Sequence, residues 1–208
     1  MAFSLVAAMT ESCFRRPELN VVIVGLDNAG KTAILERLKG AFGGPSKKKA
    51  VFSLEKLQAT MGMNLAKLDL CGCRVMFWDL GGGPKVRDLW ERYYGDAHGV
   101  VFVVDASDPD RLPEAARAFA SACDHHDLFD VPCLVVANKQ DKGAVLESDV
   151  ARSFDLDAKR THRTIIIRAA SALTMDGITD GILTLVDVAK HHDIELHNRT
   201  NSDRSSDD

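Results

Sequence analysis

No apolar run in this 208-residue sequence approaches the length of a membrane span, so a transmembrane segment is not expected. A basic surplus is missing too. Twenty-six lysines and arginines stand against 30 acidic residues, for a net charge of −4, so no nucleic-acid partner is expected. The five cysteines form no CxxC pair, and Cys71-Gly72-Cys73 has the wrong spacing for a zinc half-site, which points to reduced cytosolic thiols. Residue 2 is Ala rather than Gly, which excludes N-myristoylation there. The last cysteine is Cys133, so a C-terminal prenyl anchor is not expected either. Any membrane contact then has to come from the chain itself or from a protein receptor.

What is present is a length that fits one domain, and an alternation of apolar runs with helix-period segments. Leu19–Val24, Val75–Trp78, Val100–Val104, Cys133–Ala137 and Thr164–Ile167 read as strands, and 109–124 and 178–190 as helices. Strands alternating with helices predict an α/β fold, a mostly parallel sheet with helices on both faces. Ligands in such sheets sit beyond the carboxyl ends of the strands. Phe3, Val6, Ala7, Met9, Cys13 and Phe14 recur at nearly helical spacing, so an amphipathic helix is expected within 1–16, with residues 2–14 as a peripheral membrane contact. The main domain is expected over 17–192. A polar tail over 193–208 is predicted to be disordered.

Gly25-Leu26-Asp27-Asn28-Ala29-Gly30-Lys31-Thr32 satisfies G-x-x-x-x-G-K-[ST] between a predicted strand and a predicted helix, the setting of a true P-loop. Its backbone N–H groups would line an anion cradle at a helix N-terminus. Lys31 would neutralise the β and γ phosphates, and the Thr32 hydroxyl would bind Mg2+. Asp79, at the end of another strand, would hold Mg2+ through water. Gly82 completes D-x-x-G and lets the backbone approach the γ-phosphate.

Asn138-Lys139-Gln140-Asp141 follows the strand 133–137. A carboxylate at Asp141 accepts from guanine N1–H and its exocyclic amine, and adenine would leave it unpaired; such pairing discriminates by roughly 10⁴–10⁵. Asn138 would brace the loops, and the Lys139 stem would cover one face of the base. Within Ser171-Ala172-Leu173, the Ala172 N–H would reach guanine O6. Together these motifs point to GTP and GDP as ligands.

The spellings GLDNAGKT, WDLGG with LWERYY (89–94), and NKQD resemble the Ras-like small GTPases, and among them the Arf family. The resemblance covers about 18–190, and the long insert before Thr60 with its ATMGMN sequence is similar to the Arf-related-protein subgroup of Golgi-associated GTPases. It implies a P-loop NTPase small-GTPase domain with a six-stranded sheet, in which Ala33 stands for a frequent Thr and acts toward the α-phosphate through its backbone N–H. It also implies that Thr60 closes on Mg2+ and the γ-phosphate, that Gly62 contacts the γ-phosphate side or hinges that switch, and that interswitch strands span about 63–79. Met63, Trp78 and Tyr93 match the family's aromatic effector cluster, with Met63 in place of a common Phe. The implied partners are an exchange factor, a GTPase-activating protein and effectors. The implied setting is a cytoplasmic monomer, peripheral on Golgi membranes and working in vesicle and protein transport.

One departure bears on chemistry. The family's water-positioning Gln would follow Gly82, and here that position is Gly83. Losing one positioned group typically costs on the order of 10²–10³ in rate. No arginine finger in cis is evident from the sequence, and Gln58, two before Thr60, is a weak substitute. With Lys31 and Thr60 in place, three readings stay open. The first is a Mg2+-dependent GTPase with slow intrinsic hydrolysis. The second is a module that persists in the GTP form and recruits effectors. The third is a nucleotide-independent scaffold, against which the P-loop and NKQD argue.

Overall fold

In the computed structural model, the described residues are 16–44 and 62–205, with side chains through Asn198. The expected N-terminal helix (2–14), Gln58 and Thr60 lie outside them. The sheet has six strands: β1 (Glu18–Val24), β2 (Met63–Leu70), β3 (Cys73–Leu80), β4 (Gly99–Asp105), β5 (Cys133–Asn138) and β6 (Ile165–Ala169). Their spatial order is β2-β3-β1-β4-β5-β6, and all pairings are parallel except β2 with β3. The expected α/β architecture is therefore observed.

The central strands are continuous apolar runs because both of their faces are covered. Alternate residues serve opposite layers. Leu19, Val21 and Ile23 of β1, with Val101 and Val103 of β4, pack against Ile34, Leu35 and Leu38 of α1 (Lys31–Phe42). The same layer takes Ile182, Leu185 and Val186 of α5 (Ile178–Ser205). Val22, Val24, Phe102 and Val135 face the other layer, where Phe119 of α2 (Leu112–Cys123) meets Phe102 and Phe154 in an aromatic cluster with centroids 5.1–5.9 Å apart. Two short helices, α3 (Glu147–Ser153) and α4 (Leu156–Lys159), were not foreseen. Each buries only one of its own residues, Val150 or Leu156, too little to write a helical period in the sequence.

β2 and β3 are joined at Cys71-Gly72, both with positive φ (51° and 75°), between the paired Leu70 and Cys73. This is the geometry of a type I′ hairpin turn, so the Cys-Gly-Cys triplet is used for chain reversal. The tail differs from expectation: α5 continues through Ser205, past the point where polar composition predicted disorder. Its start meets the body, with His98 Nε2 3.8 Å from Asp193 and His192 Nε2 3.5 Å from Asp130, while residues 194–198 are exposed. Composition alone does not show such contacts. Among the described residues, no helix is long and apolar enough to cross a membrane.

Candidate nucleotide site

The loop 25–32 connects β1 to α1 at the carboxyl edge of the sheet. Gly30 precedes the helix at φ 100°, and a Cβ there would lie 2.2 Å from Asn138 Nδ2, so this turn accepts only glycine. Asn28 also has positive φ (62°), a conformation Asn tolerates. Lys31 is 6% exposed, and its Nζ donates to Gly25 O (2.8 Å) and Leu26 O (2.7 Å). Burial lowers its pKa from 10.5 to about 8, against the opposing pull of Asp79 and Asp27. A desolvated ammonium on the loop's own carbonyls is well prepared for a phosphate, which would restore its favourable charge environment. Ala33 packs partly buried against the α1-side core.

Thr32 Oγ1 donates to Asp79 Oδ2 at 2.7 Å, and Asn64 Nδ2 donates to the same oxygen at 3.1 Å. Asn64 was not singled out from the sequence, although it lies directly across from Asp79 in the β2–β3 ladder. Asp79 is fully buried, and its Oδ1 has no partner among the described residues. Burial pushes this carboxyl upward, opposed by the Thr32 and Asn64 hydrogen bonds and by Lys31. A buried, unpartnered carboxylate oxygen beside a hydroxyl is an all-oxygen donor set that suits hydrated Mg2+. These residues fit the ion.

Gly81–Gly83 follow β3. A Cβ on Gly82 would fall 2.3 Å from Gly25 O and 2.5 Å from Asp27 N, so this residue lies directly on the phosphate loop. Gly83 differs: among the described residues its Cβ would meet only Val86 Cγ2, at 3.9 Å. The carbonyls of the turn are held from behind. Trp90 Nε1 donates to Gly81 O (2.8 Å), and Arg87 Nε donates to Gly82 O (2.9 Å). Arg87 Nη2 also meets Glu114 Oε1 at 2.6 Å. Glu114 Oε2 lies 3.3 Å from Arg111 Nε, and Arg111 Nη2 pairs with Asp27 Oδ1 at 2.7 Å. Only the three-residue spacing of Arg111 and Glu114 marks this chain of charges in the sequence.

At the base end, Asn138 is 1% exposed. Its Nδ2 donates to Ala29 O (2.7 Å), and its Oδ1 accepts from Ala172 N (2.9 Å). The bracing role expected of Asn138 is therefore seen. The Ala172 N–H is directed to Asn138, where the sequence had suggested guanine O6, because the buried amide oxygen needs a donor. Asp141 Oδ1 accepts from the buried Ser171 hydroxyl. Lys139, at φ 71°, pairs through Nζ with Asp105. Burial opposes charge on Asp105, but Lys139 and Ser107 outweigh it and leave the carboxyl below its usual range. The loops after β1, β3, β5 and β6 thus meet at one edge, as their motifs require.

The profile of the ADP-ribosylation factor family matches residues 5–189. This chain belongs to that family of small GTPases. ADP-ribosylation factor-related protein 1 of Homo sapiens is 39% identical over 186 residues, covering 88% of this chain and 91% of that protein. ADP-ribosylation factor-like protein 3 of Saccharomyces cerevisiae is 36% identical over 183 residues, covering 86% and 90%. The structure of the Arl6 BBS3 small GTPase from Trypanosoma brucei, with the bound nucleotide analogue GppNp, superposes with a TM-score of 0.71 at 30% identity, over 84% of this chain and 98% of that one. The similarity to an Arf-related protein agrees with the subgroup that the insert before Thr60 resembles. On this GTPase, Trp78 and Tyr93 form an edge-to-face pair at 5.4 Å, and Met63 is 40% exposed on β2. Leu65, paired with Trp78 across the strands and 51% exposed, widens that surface and was not foreseen.

Proposed function

We propose that this Arf-family GTPase is a Mg2+-dependent switch that hydrolyses GTP slowly on its own and recruits effectors in its GTP form. The observation that carries the reading is the contrast between the two glycines. Gly82 is pressed onto the phosphate loop, where only a bare backbone fits, while Gly83, crowded by none of the described residues, has no side chain to orient water. In phosphoryl transfer the protein mainly positions groups and stabilises charge. Lys31 and the N-terminus of α1 would hold the phosphates, while Thr32, Thr60 and Asp79 (through water) would hold Mg2+. When bound, that ion neutralises charge developing between the β and γ phosphates. Thr60 and Gly82 would sense the third phosphate, and Asp141 would select guanine. Met63, Trp78 and Tyr93, with Leu65, would form the effector surface. An exchange factor and an activating protein would set the cycle, in Golgi and vesicle trafficking, with residues 2–14 as the peripheral membrane contact.

The test is single-turnover hydrolysis by Gly83→Gln. A Cβ at Gly83 meets no close contact among the described residues, so with Gln there the rate is expected to rise on the order of 10²-fold with GTP affinity nearly unchanged. An unchanged rate would remove the missing side chain as the cause of slow turnover. A second reading, a GTP-bound module that does not hydrolyse, is favoured by the same bare Gly83. Co-purified nucleotide separates the two: mostly GDP for the cycling enzyme, mostly GTP for the persistent module.

A further inference from the structure

Asp27 places a carboxylate on a loop otherwise built to receive anions. Its backbone N is what a Cβ on Gly82 would strike at 2.5 Å. The residue therefore sits where the phosphate loop meets the Gly81–Gly83 turn, the corner to which the proposed reading assigns the third phosphate of GTP. An uncompensated negative charge at that corner would oppose GTP specifically.

The structure shows how the charge is handled. Arg111, from the turn before α2, donates to Asp27 Oδ1 (2.7 Å) and to Asp27 O (3.2 Å), gripping side chain and backbone together. Glu114 Oε2 steadies the guanidinium from the next turn at 3.3 Å. The other oxygen of Glu114 holds Arg87, whose Nε reaches Gly82 O. One carboxylate on α2 thus anchors two arginines, one that grips the phosphate loop at Asp27 and one that grips Gly82. Such forked, charge-assisted contacts fix geometry as well as charge.

We propose that Arg111 is a positioning residue for the third phosphate: by pairing with Asp27 it draws that carboxylate back and cancels its charge, and so sets the site's preference for GTP over GDP. The inference rests on the reading of this loop as a GTP site. It assigns Arg111 no contact with the reacting atoms.

The test compares dissociation constants of Mg2+–GDP and Mg2+–GppNHp for the wild type, Arg111→Gln, and Arg111→Gln combined with Asp27→Asn. Arg111→Gln is expected to weaken GppNHp about tenfold while GDP changes less than about twofold, the scale of one unpaired charge in a partly exposed site. Adding Asp27→Asn is expected to restore GppNHp binding, which a merely structural Arg111 would not allow. Equal weakening of both nucleotides, or no rescue, overturns the proposal. If Arg111→Gln does not fold, Asp27→Asn alone decides: a several-fold gain in GppNHp over GDP supports the proposal, and an unchanged ratio overturns it. Failure of the underlying GTP reading looks different, because the wild type itself would then bind neither nucleotide.

Discussion

At the residue scale, two adjacent glycines meet opposite constraints. A methyl group on Gly82 would collide with the backbone of Gly25, Leu26 and Asp27, none of which yields as a flexible side chain does. Gly82→Ala is expected to cost about 1–3 kcal/mol in denaturant unfolding, and to weaken nucleotide binding as the loop shifts. Gly83→Ala has room and is expected to stay within about 0.5 kcal/mol of wild type. The Arg87–Glu114–Arg111–Asp27 chain makes a second prediction, in pH. Hydrogen bonding to Arg111 holds the Asp27 carboxyl below 3.8, with Arg87 also contributing, and Arg87 followed by Arg111 holds Glu114 below 4.5. Because both folded-state values are depressed, the stabilisation is fully present above the ordinary carboxylate range. It fades as pH falls through the lowered values. The melting-temperature gap between wild type and Arg111→Gln should therefore be the same at pH 7 and pH 5 and narrow below about pH 4. A gap already closed at pH 5 would mean the carboxylates are not held by these arginines.

Among the elements, legibility follows burial. β1, β4 and β5 announce themselves because a strand covered on both faces is apolar at nearly every position. β2 is an edge strand whose exposed Met63, Leu65, Lys67 and Asp69 alternate with buried partners, and it was expected only through the family resemblance. Its hairpin carries a local cost. Cys71 adopts φ 51° at a turn position where Asn is preferred and most residues are strained. Cys71→Asn is expected to stabilise the protein by about 0.5–1 kcal/mol in chemical denaturation, with nucleotide affinity unchanged. α5 teaches a converse lesson: the polar sequence beyond Asp193 is solvated, with residues 194–198 exposed, yet it continues a helix that meets the body through His98 with Asp193 and Asp130 with His192.

For the whole molecule, the site was legible where motifs are contiguous and opaque where they are assembled. The P-loop, Asp79, Gly82 and NKQD each sit at a strand end, and the strand order brings those ends together. Arg111 and Asp27 lie 84 positions apart, and charged residues on a helix start read as a solvated face until the fold joins them. Because the proposed phosphate and metal groups would converge on one ligand, saturation should stabilise the entire domain. Mg2+–GTP at about a thousand times its Kd contributes about 4 kcal/mol, roughly 10 °C in melting temperature for a chain of this size, and EDTA should remove much of that gain. Asn138 gives the same architecture another consequence. One buried amide grips Ala29 on the phosphate side and Ala172 on the base side. Whichever half of a nucleotide arrives first therefore bears the ordering cost of that shared strut, and the second half is spared it. Guanosine and pyrophosphate, supplied as separate molecules, should each bind more tightly in the other's presence, and Asn138→Ala should make them indifferent to one another.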